Sequence, residues 1–146
     1  MKAVIQVVKD AELSVNDEIV SKIEKGLVVF FCVEKDDLEE KVDFFAKKIA
    51  NLRIFSDENG KTNLSVNDVK GEILLVSQFT LAGDCIHGNR PSFSNAENPE
   101  RANEMYLRLA KILKDDYAVP TKLGLFGADM QINQTNDGPF TVLIEK

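Results

Sequence analysis

The sequence has no tryptophan, a single histidine, two cysteines and no apolar run near the ~20 residues that a membrane-spanning helix needs. Cys32 and Cys85 lie far apart, so neither a disulfide framework nor a metal-ligand pattern is expected. Residues 2–8 alternate between apolar and polar, which predicts a first strand and not a signal peptide. The 146 residues therefore predict one domain, 1–146, that is cytoplasmic and has no membrane partner.

The scarcity of histidine also removes common catalytic arrangements. A Ser-His-Asp triad would have to use His87, which a glycine follows in a polar segment, and the chain contains no GxSxG pattern. Glycine-rich phosphate-binding patterns are absent too. The net charge of −6 argues against broad binding to a nucleic-acid backbone. A local basic mouth that grips one end of a nucleic acid stays possible.

Hydrophobic periodicity predicts an α+β domain with largely antiparallel β-sheets, in a barrel-like or sandwich core with two main helices packed on it. The order is β-β-β-α-β-β-α-β-β. Strands are predicted at 2–8, 18–23, 26–33, 52–55, 72–79, 128–135 and 140–145, and the segments 12–15 and 18–23 flank a tight turn at Asn16-Asp17. A capping box at Asp36 and Glu39 predicts the first helix, with Leu38, Val42, Phe45, Ala46 and Ile49 on its buried stripe. An Asn98 cap and Pro99 predict the second, which buries Ala102, Met105, Tyr106, Leu109, Ile112 and Leu113.

Two segments are candidates for chemistry, 77–84 and 136–141. Polar residues in "SQFTLAGD" (77–84) abruptly end an apolar strand, and backbone N–H groups freed there could stabilise an oxyanion. An ordinary strand edge is the alternative. The aperiodic segment 82–98 exceeds the ~12–15 residues usual for an unstructured loop, which indicates an ordered lid or binding loop that carries Arg90 and Phe93.

The segment "NDGPFT" (136–141) predicts a turn between the last two strands, since Asn, Asp and Gly tolerate turn geometry. Pro139 has no N–H to give to a sheet ladder. A trans Gly138-Pro139 bond would merely blunt a strand edge. A cis bond would instead hold the two carbonyls in an orientation that could measure the stereochemistry of an amino-bearing carbon. The residues alone leave both alternatives open.

Five segments together resemble the D-aminoacyl-tRNA deacylase family over essentially the whole chain. They are "NLRIFSDENGKTNLSV" (51–66), "SQFTL" (77–81), "GNRPSF" (88–93), "FGADMQI" (126–132) and "NDGPFT" (136–141). The resemblance implies a homodimeric editing hydrolase that cleaves the ester joining a D-amino acid, or mischarged glycine, to the terminal adenosine of tRNA. It also implies a cis Gly138-Pro139 bond that enters the other subunit's active site and excludes L-side chains.

The resemblance assigns roles residue by residue. Ser77, Gln78, Phe79 and Thr80 would line the scissile ester. Backbone amides near Gln78 and Phe79 would hold its carbonyl, while the ribose 2′-hydroxyl assists attack by water. Thr80 has no base to activate it and would be positional. The remaining substrate contacts would be Phe126, Ala128 and Met130 at the adenosine, together with Asn136, Gly138, Pro139, Thr141 and Arg90. No metal or cofactor is implied.

The sequence departs from the family at several positions. Val7 stands where arginine is usual, Ala82 where an aromatic residue is common, and Phe140 where valine is common. Two other functions therefore stay open. One is a non-catalytic dimeric protein that binds RNA ends, and the other is an unrelated small-molecule esterase that uses Thr80 or Ser77.

Overall fold

Eight strands and two α-helices make up the computed structural model, which describes residues 1–146. Their bounds are β1 Lys2–Val15, β2 Glu18–Ile23, β3 Gly26–Cys32, α1 Glu40–Asn51, β4 Phe55–Ser56, β5 Thr62–Leu64, β6 Glu72–Ser77, a 3-10 helix Phe79–Ala82, α2 Pro99–Asp115, β7 Thr121–Leu123 and β8 Gln131–Glu145. The predicted α+β class with two main helices is confirmed. No helix combines the length and apolarity needed to cross a membrane.

The main sheet has the order β2-β1-β3-β6-β7, and β8 pairs with the other edge of β1. Strand β1 is long enough to pair with β3 through its first half and with β2 through its second half. The Ser21 hydroxyl of β2 donates to the Leu123 carbonyl of β7 at 2.6 Å, so the sheet curls into a nearly closed barrel. The pairs β3–β6 and β6–β7 are parallel, because α1 and α2 lie in the crossovers between them.

Strands β3 and β6 are buried on both faces, which explains the continuous apolar run in the sequence. On one face, Leu27, Val29 and Phe31 of β3 belong to the main core with residues of both helices. On the other face, Val28 and residues of β1, β2 and β6 form a second cluster. The layers therefore place the carboxyl ends of β3 and β6 beside the start of α2.

Helix α2 begins as predicted. The Asn98 side chain accepts a hydrogen bond from the Arg101 amide at 3.0 Å, and Pro99 occupies the first turn. All six residues predicted for its inner face are buried or half-buried.

The predicted start of α1 is wrong. The helix begins at Glu40, Glu39 makes no side-chain cap, and Leu38 is 61% exposed. The reason is Asp37, which turns inward, is 3% exposed and accepts the Glu34 amide at 2.8 Å. The chain around Asp37 is thereby held in a turn, with Asp36 at a φ of 65°.

The turn predicted within 136–141 is also wrong, because β8 runs unbroken from Gln131 to Glu145. Both halves of β8 pair antiparallel with β1, so the chain never reverses. Asn136 lies opposite Val8 and Thr141 opposite Gln6, which leaves residues 137–140 as a bulge. The Gly138-Pro139 bond within it is cis, and Gly138 has a φ of 125°.

Candidate active site

A pocket of about 510 Å³ lies where β3 and β6 end, between the first turns of α2 and residues 126–132. It brings together six residues that the sequence placed at the site: Ser77, Gln78, Phe79, Phe126, Ala128 and Met130. Its lining is mainly apolar, and its polar residues include Ser77 and Gln78, Glu97 and Asp129. Such a pocket suits an organic ligand that has both apolar and polar parts.

Ser77 and Gln78 line the pocket at the point where β6 ends. The Gln78 amide donates to the Phe31 carbonyl at 2.8 Å, and the chain then enters the 3-10 helix instead of continuing as a strand to residue 79. The Gln78 side-chain amide donates to the Thr80 hydroxyl at 2.6 Å. Thr80 is exposed and does not itself line the pocket, but it follows Phe79 directly and its hydroxyl contacts Gln78.

Tyr106 of α2 forms part of the inner wall, although the sequence marked it only as a core residue. Its hydroxyl donates to the Leu75 carbonyl at 2.8 Å, and its ring centroid lies 5.9 Å from that of Phe126. Burial raises the pKa of the Tyr106 hydroxyl above its ordinary value. The signal that could have identified it is a phenol on an otherwise apolar helix face, since such a hydroxyl needs a partner.

A second residue that the site prediction missed is Cys32, at the end of β3. Its sulfur lies 3.6 Å from the Phe79 carbonyl oxygen and 3.5 Å from that of Val33. Burial raises the pKa of the Cys32 thiol to about 11. A thiol with a pKa raised in this way is mainly protonated at neutral pH, so Cys32 lines the pocket but is a poor nucleophile.

Glu97 contributes a carboxylate to the pocket lining, and this carboxylate has two partners. The Asn98 amide donates to it at 2.8 Å and the Arg101 guanidinium pairs with it. These hydrogen bonds lower the pKa of the Glu97 carboxyl. Arg101 also donates to the Asp37 carbonyl at 2.5 Å, which ties the start of α2 to the turn before α1.

Asp37 anchors that turn. Its carboxylate accepts hydrogen bonds from the Lys41 ammonium at 2.6 Å and from the Met1 ammonium at 2.5 Å. Burial pushes the pKa of Asp37 upward, but these hydrogen bonds outweigh it, and the pKa lies below its ordinary value. The segment that leads from β3 past the pocket is therefore fixed by charge as well as by packing.

Residues 4–145 match a family model described as D-Tyr-tRNA(Tyr) deacylase. The chain belongs to this family. Proteins called D-aminoacyl-tRNA deacylase from Thermosipho melanesiensis and Thermosipho africanus are 47% and 50% identical to it, each over 99% of this chain and 97% of the relative. The family and the hydrolase class expected from the sequence are confirmed.

Two solved structures share the deacylase-family fold. One, titled c-Myc DNA Unwinding Element Binding Protein, has a TM-score of 0.93 and 40% identity, and the match covers 100% of this chain and 99% of that one. The other, a probable eukaryotic D-amino acid tRNA deacylase, has a TM-score of 0.82 over 98% of this chain and 97% of that one. At 18% identity, this second likeness concerns the fold alone.

Arg90 lies outside the pocket of this deacylase-family chain, in the exposed loop 82–98. The loop is ordered by paired backbone hydrogen bonds between Asp84 and Ser92, at 2.8 and 3.0 Å. Phe93 packs edge-to-face on Phe79 with a centroid distance of 5.3 Å. The loop thus continues the pocket wall outward, while Arg90 does not line the pocket.

Gly138 and Pro139 of the bulge, and Asn136 and Thr141 that flank it, also lie away from the pocket of their own chain. Through β1, the bulge is level with residues 26–28 of β3, since Val8 pairs with Gly26 and Gln6 with Val28. The pocket begins at Phe31, three residues beyond Val28, which is roughly 10 Å along a strand. All four residues are exposed.

Proposed function

We propose that the chain hydrolyses the ester bond of D-aminoacyl-tRNA, and of mischarged glycyl-tRNA, to free amino acid and tRNA. The observation that carries this proposal is the largely apolar pocket lined by Ser77, Gln78 and Phe79, in a chain of the deacylase family. The terminal adenosine would bind against Phe126, Ala128 and Met130. An apolar, aromatic-lined pocket suits an unstacked base.

Water is the nucleophile that this site favours. Cys32 is protonated at neutral pH, and the hydrogen bond that Thr80 accepts comes from an amide, which cannot take its proton. The ribose 2′-hydroxyl next to the ester is then the group placed to assist the attacking water. Water adds to the ester carbonyl, and the bond to the 3′-oxygen breaks to give the carboxylic acid and the ribose hydroxyl.

The backbone would stabilise the oxyanion that forms in this reaction. The Gln78 amide is already bonded to Phe31, so it is a poor candidate. The next amides, of Phe79 and Thr80, open the 3-10 helix, and the first amides of a helix have no acceptor within it. They are therefore the donors that we assign to the ester oxygen.

A homodimer in which Gly138-Pro139 of each copy enters the other copy's pocket would supply the chiral selection. Three features support it: the bulge is exposed, it lies away from its own pocket, and it stands on β8, whose outer edge is unpaired. A side chain on residue 138 would place its Cβ 2.8 Å from the Phe140 nitrogen. Main-chain carbonyls there would sense the α-carbon and ignore the side chain beyond it.

The first test compares deacylation of D-tyrosyl-tRNA and L-tyrosyl-tRNA, with Thr80→Ala as a matched variant. We expect cleavage of the D-ester only, retained activity in Thr80→Ala, and failure on a substrate whose terminal adenosine is 2′-deoxy. Loss of activity in Thr80→Ala with no preference for tRNA would favour the esterase. Inertness toward every D-aminoacyl ester would favour the non-catalytic binder of RNA ends.

A mixing experiment tests whether the bulge acts on the other copy. Ala128→Trp blocks the pocket and Gly138→Val blocks the bulge, so each homodimer should be inactive. After unfolding and refolding together, mixed dimers have one intact pocket facing one intact bulge, and about one quarter of the parent activity should return. No recovery, with dimers formed, would show that pocket and bulge act within one chain.

A further inference from the structure

Four side chains connect the two ends of the bulge. The Gln6 side-chain amide donates to the Thr141 hydroxyl at 3.3 Å. The side-chain nitrogen Nε2 of Gln134 donates to Oε1 of Gln6 at 2.7 Å and to Oδ1 of Asn136 at 2.9 Å. We call Gln6 and Gln134 the glutamine bridge. Through it, the residue before the bulge and the residue after it share one hydrogen-bonded chain.

The glutamine bridge lies where the backbone ladder fails. The register between β1 and β8 shifts between Gln6 and Val8, so residues 137–140 have no partners in it. Val7 and Val8 are buried, and Gln6 is the polar side chain that β1 presents at this level. Gln6 therefore contacts one end of the bulge directly and reaches the other end through Gln134.

The bridge leaves one polar atom unsatisfied. Both neighbours of Gln134 are oxygens, so its amide nitrogen serves them, and its own buried Oε1 has no hydrogen-bond donor. An apolar residue at this position would avoid that cost, because a buried polar atom without a partner destabilises the fold. Stabilisation of the fold is therefore a weak explanation for a glutamine at position 134.

We propose that Gln6, acting through Gln134, is a positioning residue that sets the orientation of Gly138-Pro139. This inference rests on the proposed function, in which the bulge selects D-esters. Gln6 holds the distance between the two ends of the bulge, and the two carbonyls move when that distance is free to change. The bridge therefore contributes to discrimination between D- and L-esters more than to substrate binding.

Gln6→Leu tests the proposal, since leucine has similar bulk and no hydrogen bonds. We expect the ratio of D- to L-tyrosyl-tRNA deacylation rates to fall by about tenfold, the scale of one or two lost hydrogen bonds. The unfolding midpoint in urea should stay close to that of the parent. Gln131→Leu is the matched control: it is an exposed glutamine of β8 opposite Ser14, away from the bulge.

Gln134→Met provides a second variant, needed if Gln6→Leu does not fold, and it should lower the same ratio. An unchanged ratio in a folded bridge variant would overturn the positioning role. An equal fall in Gln131→Leu would also overturn it. If the parent cleaves no D-ester, the proposed function itself fails. If the parent is selective and the bridge variants have the same D-to-L ratio as the parent, only the positioning role fails.

Discussion

Replacing Tyr106 by phenylalanine separates a structural phenol from a catalytic one. The hydroxyl lies in the pocket wall and donates to the Leu75 carbonyl at 2.8 Å. That carbonyl also accepts the Gly124 amide at 2.9 Å, so it keeps one partner in the variant. The loss should cost about 1 kcal/mol of unfolding free energy. Tyr106→Ala would remove the ring as well and cost about 3–5 kcal/mol through the cavity left behind.

The same residue predicts a pH effect with a definite sign. Because burial raises the pKa of folded Tyr106, its stabilising contribution is complete below the ordinary tyrosine pKa of about 10. It is lost as the pH rises from there toward the folded pKa, since only the unfolded chain ionises. The stability gap between the parent and Tyr106→Phe should therefore narrow between about pH 10 and pH 11.

Urea unfolding at pH 7 and pH 11, with D-tyrosyl-tRNA deacylation at pH 7, measures both effects. We expect deacylation by Tyr106→Phe within about threefold of the parent, because the ring still packs on Phe126 and the neutral phenol exchanges no proton at pH 7. A fall of about a hundredfold or more with unchanged stability would refute this reasoning. It would place the hydroxyl in the chemistry.

Two further predictions follow from charge and burial. Asp37→Asn should lower the unfolding free energy by about 3 kcal/mol at pH 7. Because the folded pKa of Asp37 is lowered, this difference should persist above about pH 4 and disappear as the pH falls through the folded pKa, measured by urea unfolding from pH 7 to pH 3. Iodoacetamide at pH 7.5 should alkylate exposed Cys85 and spare Cys32 until the protein unfolds, as a mass spectrum of each peptide would record. Equal labelling of both thiols in the folded protein would contradict the buried assignment.

The elements that sequence analysis predicts best are those whose signals are local. Asn98 and Pro99 are sufficient to start α2, because cap chemistry concerns only the first turn. The apolar run at 26–33 correctly indicates a strand buried on both faces. The start of α1 was missed because Asp37 binds the chain terminus and a lysine, and contacts of that kind leave no local pattern.

Turn chemistry alone does not determine whether a chain reverses. Asn136, Asp137 and Gly138 are suited to a hairpin, but both flanking segments pair better with β1, which is long enough to serve both. The result is a bulge in one strand. The short strand β7 was missed because its three residues carry no local strand pattern. They pair with β6 only after the fold has brought the two segments together.

The site residues also fall into two groups, those with a local sequence signal and those without one. Ser77, Gln78 and Phe79 lie at a strand end and could be found from sequence. Cys32 and Tyr106 look like core residues, and they line the pocket only because β3, β6 and α2 converge there. Motifs can also group residues that a single chain does not bring together. The bulge at 137–140 and Arg90 are separate from the pocket that holds the other motif residues.

An acidic protein can act on a tRNA substrate if it binds the terminal nucleotide and makes few contacts with the sugar-phosphate backbone. Two carboxylates near the pocket are paired, since Arg101 pairs with Glu97 and Lys41 pairs with Asp37, while Asp129 of the lining makes no ion pair. The pocket itself is largely apolar, and apolar contact with a base does not depend on counterion release. Under the proposed function, the net charge of −6 would weaken attachment to the tRNA body more than it would weaken contact with the terminal nucleotide. Selectivity would therefore depend on main-chain groups at the ester, where charge plays little part.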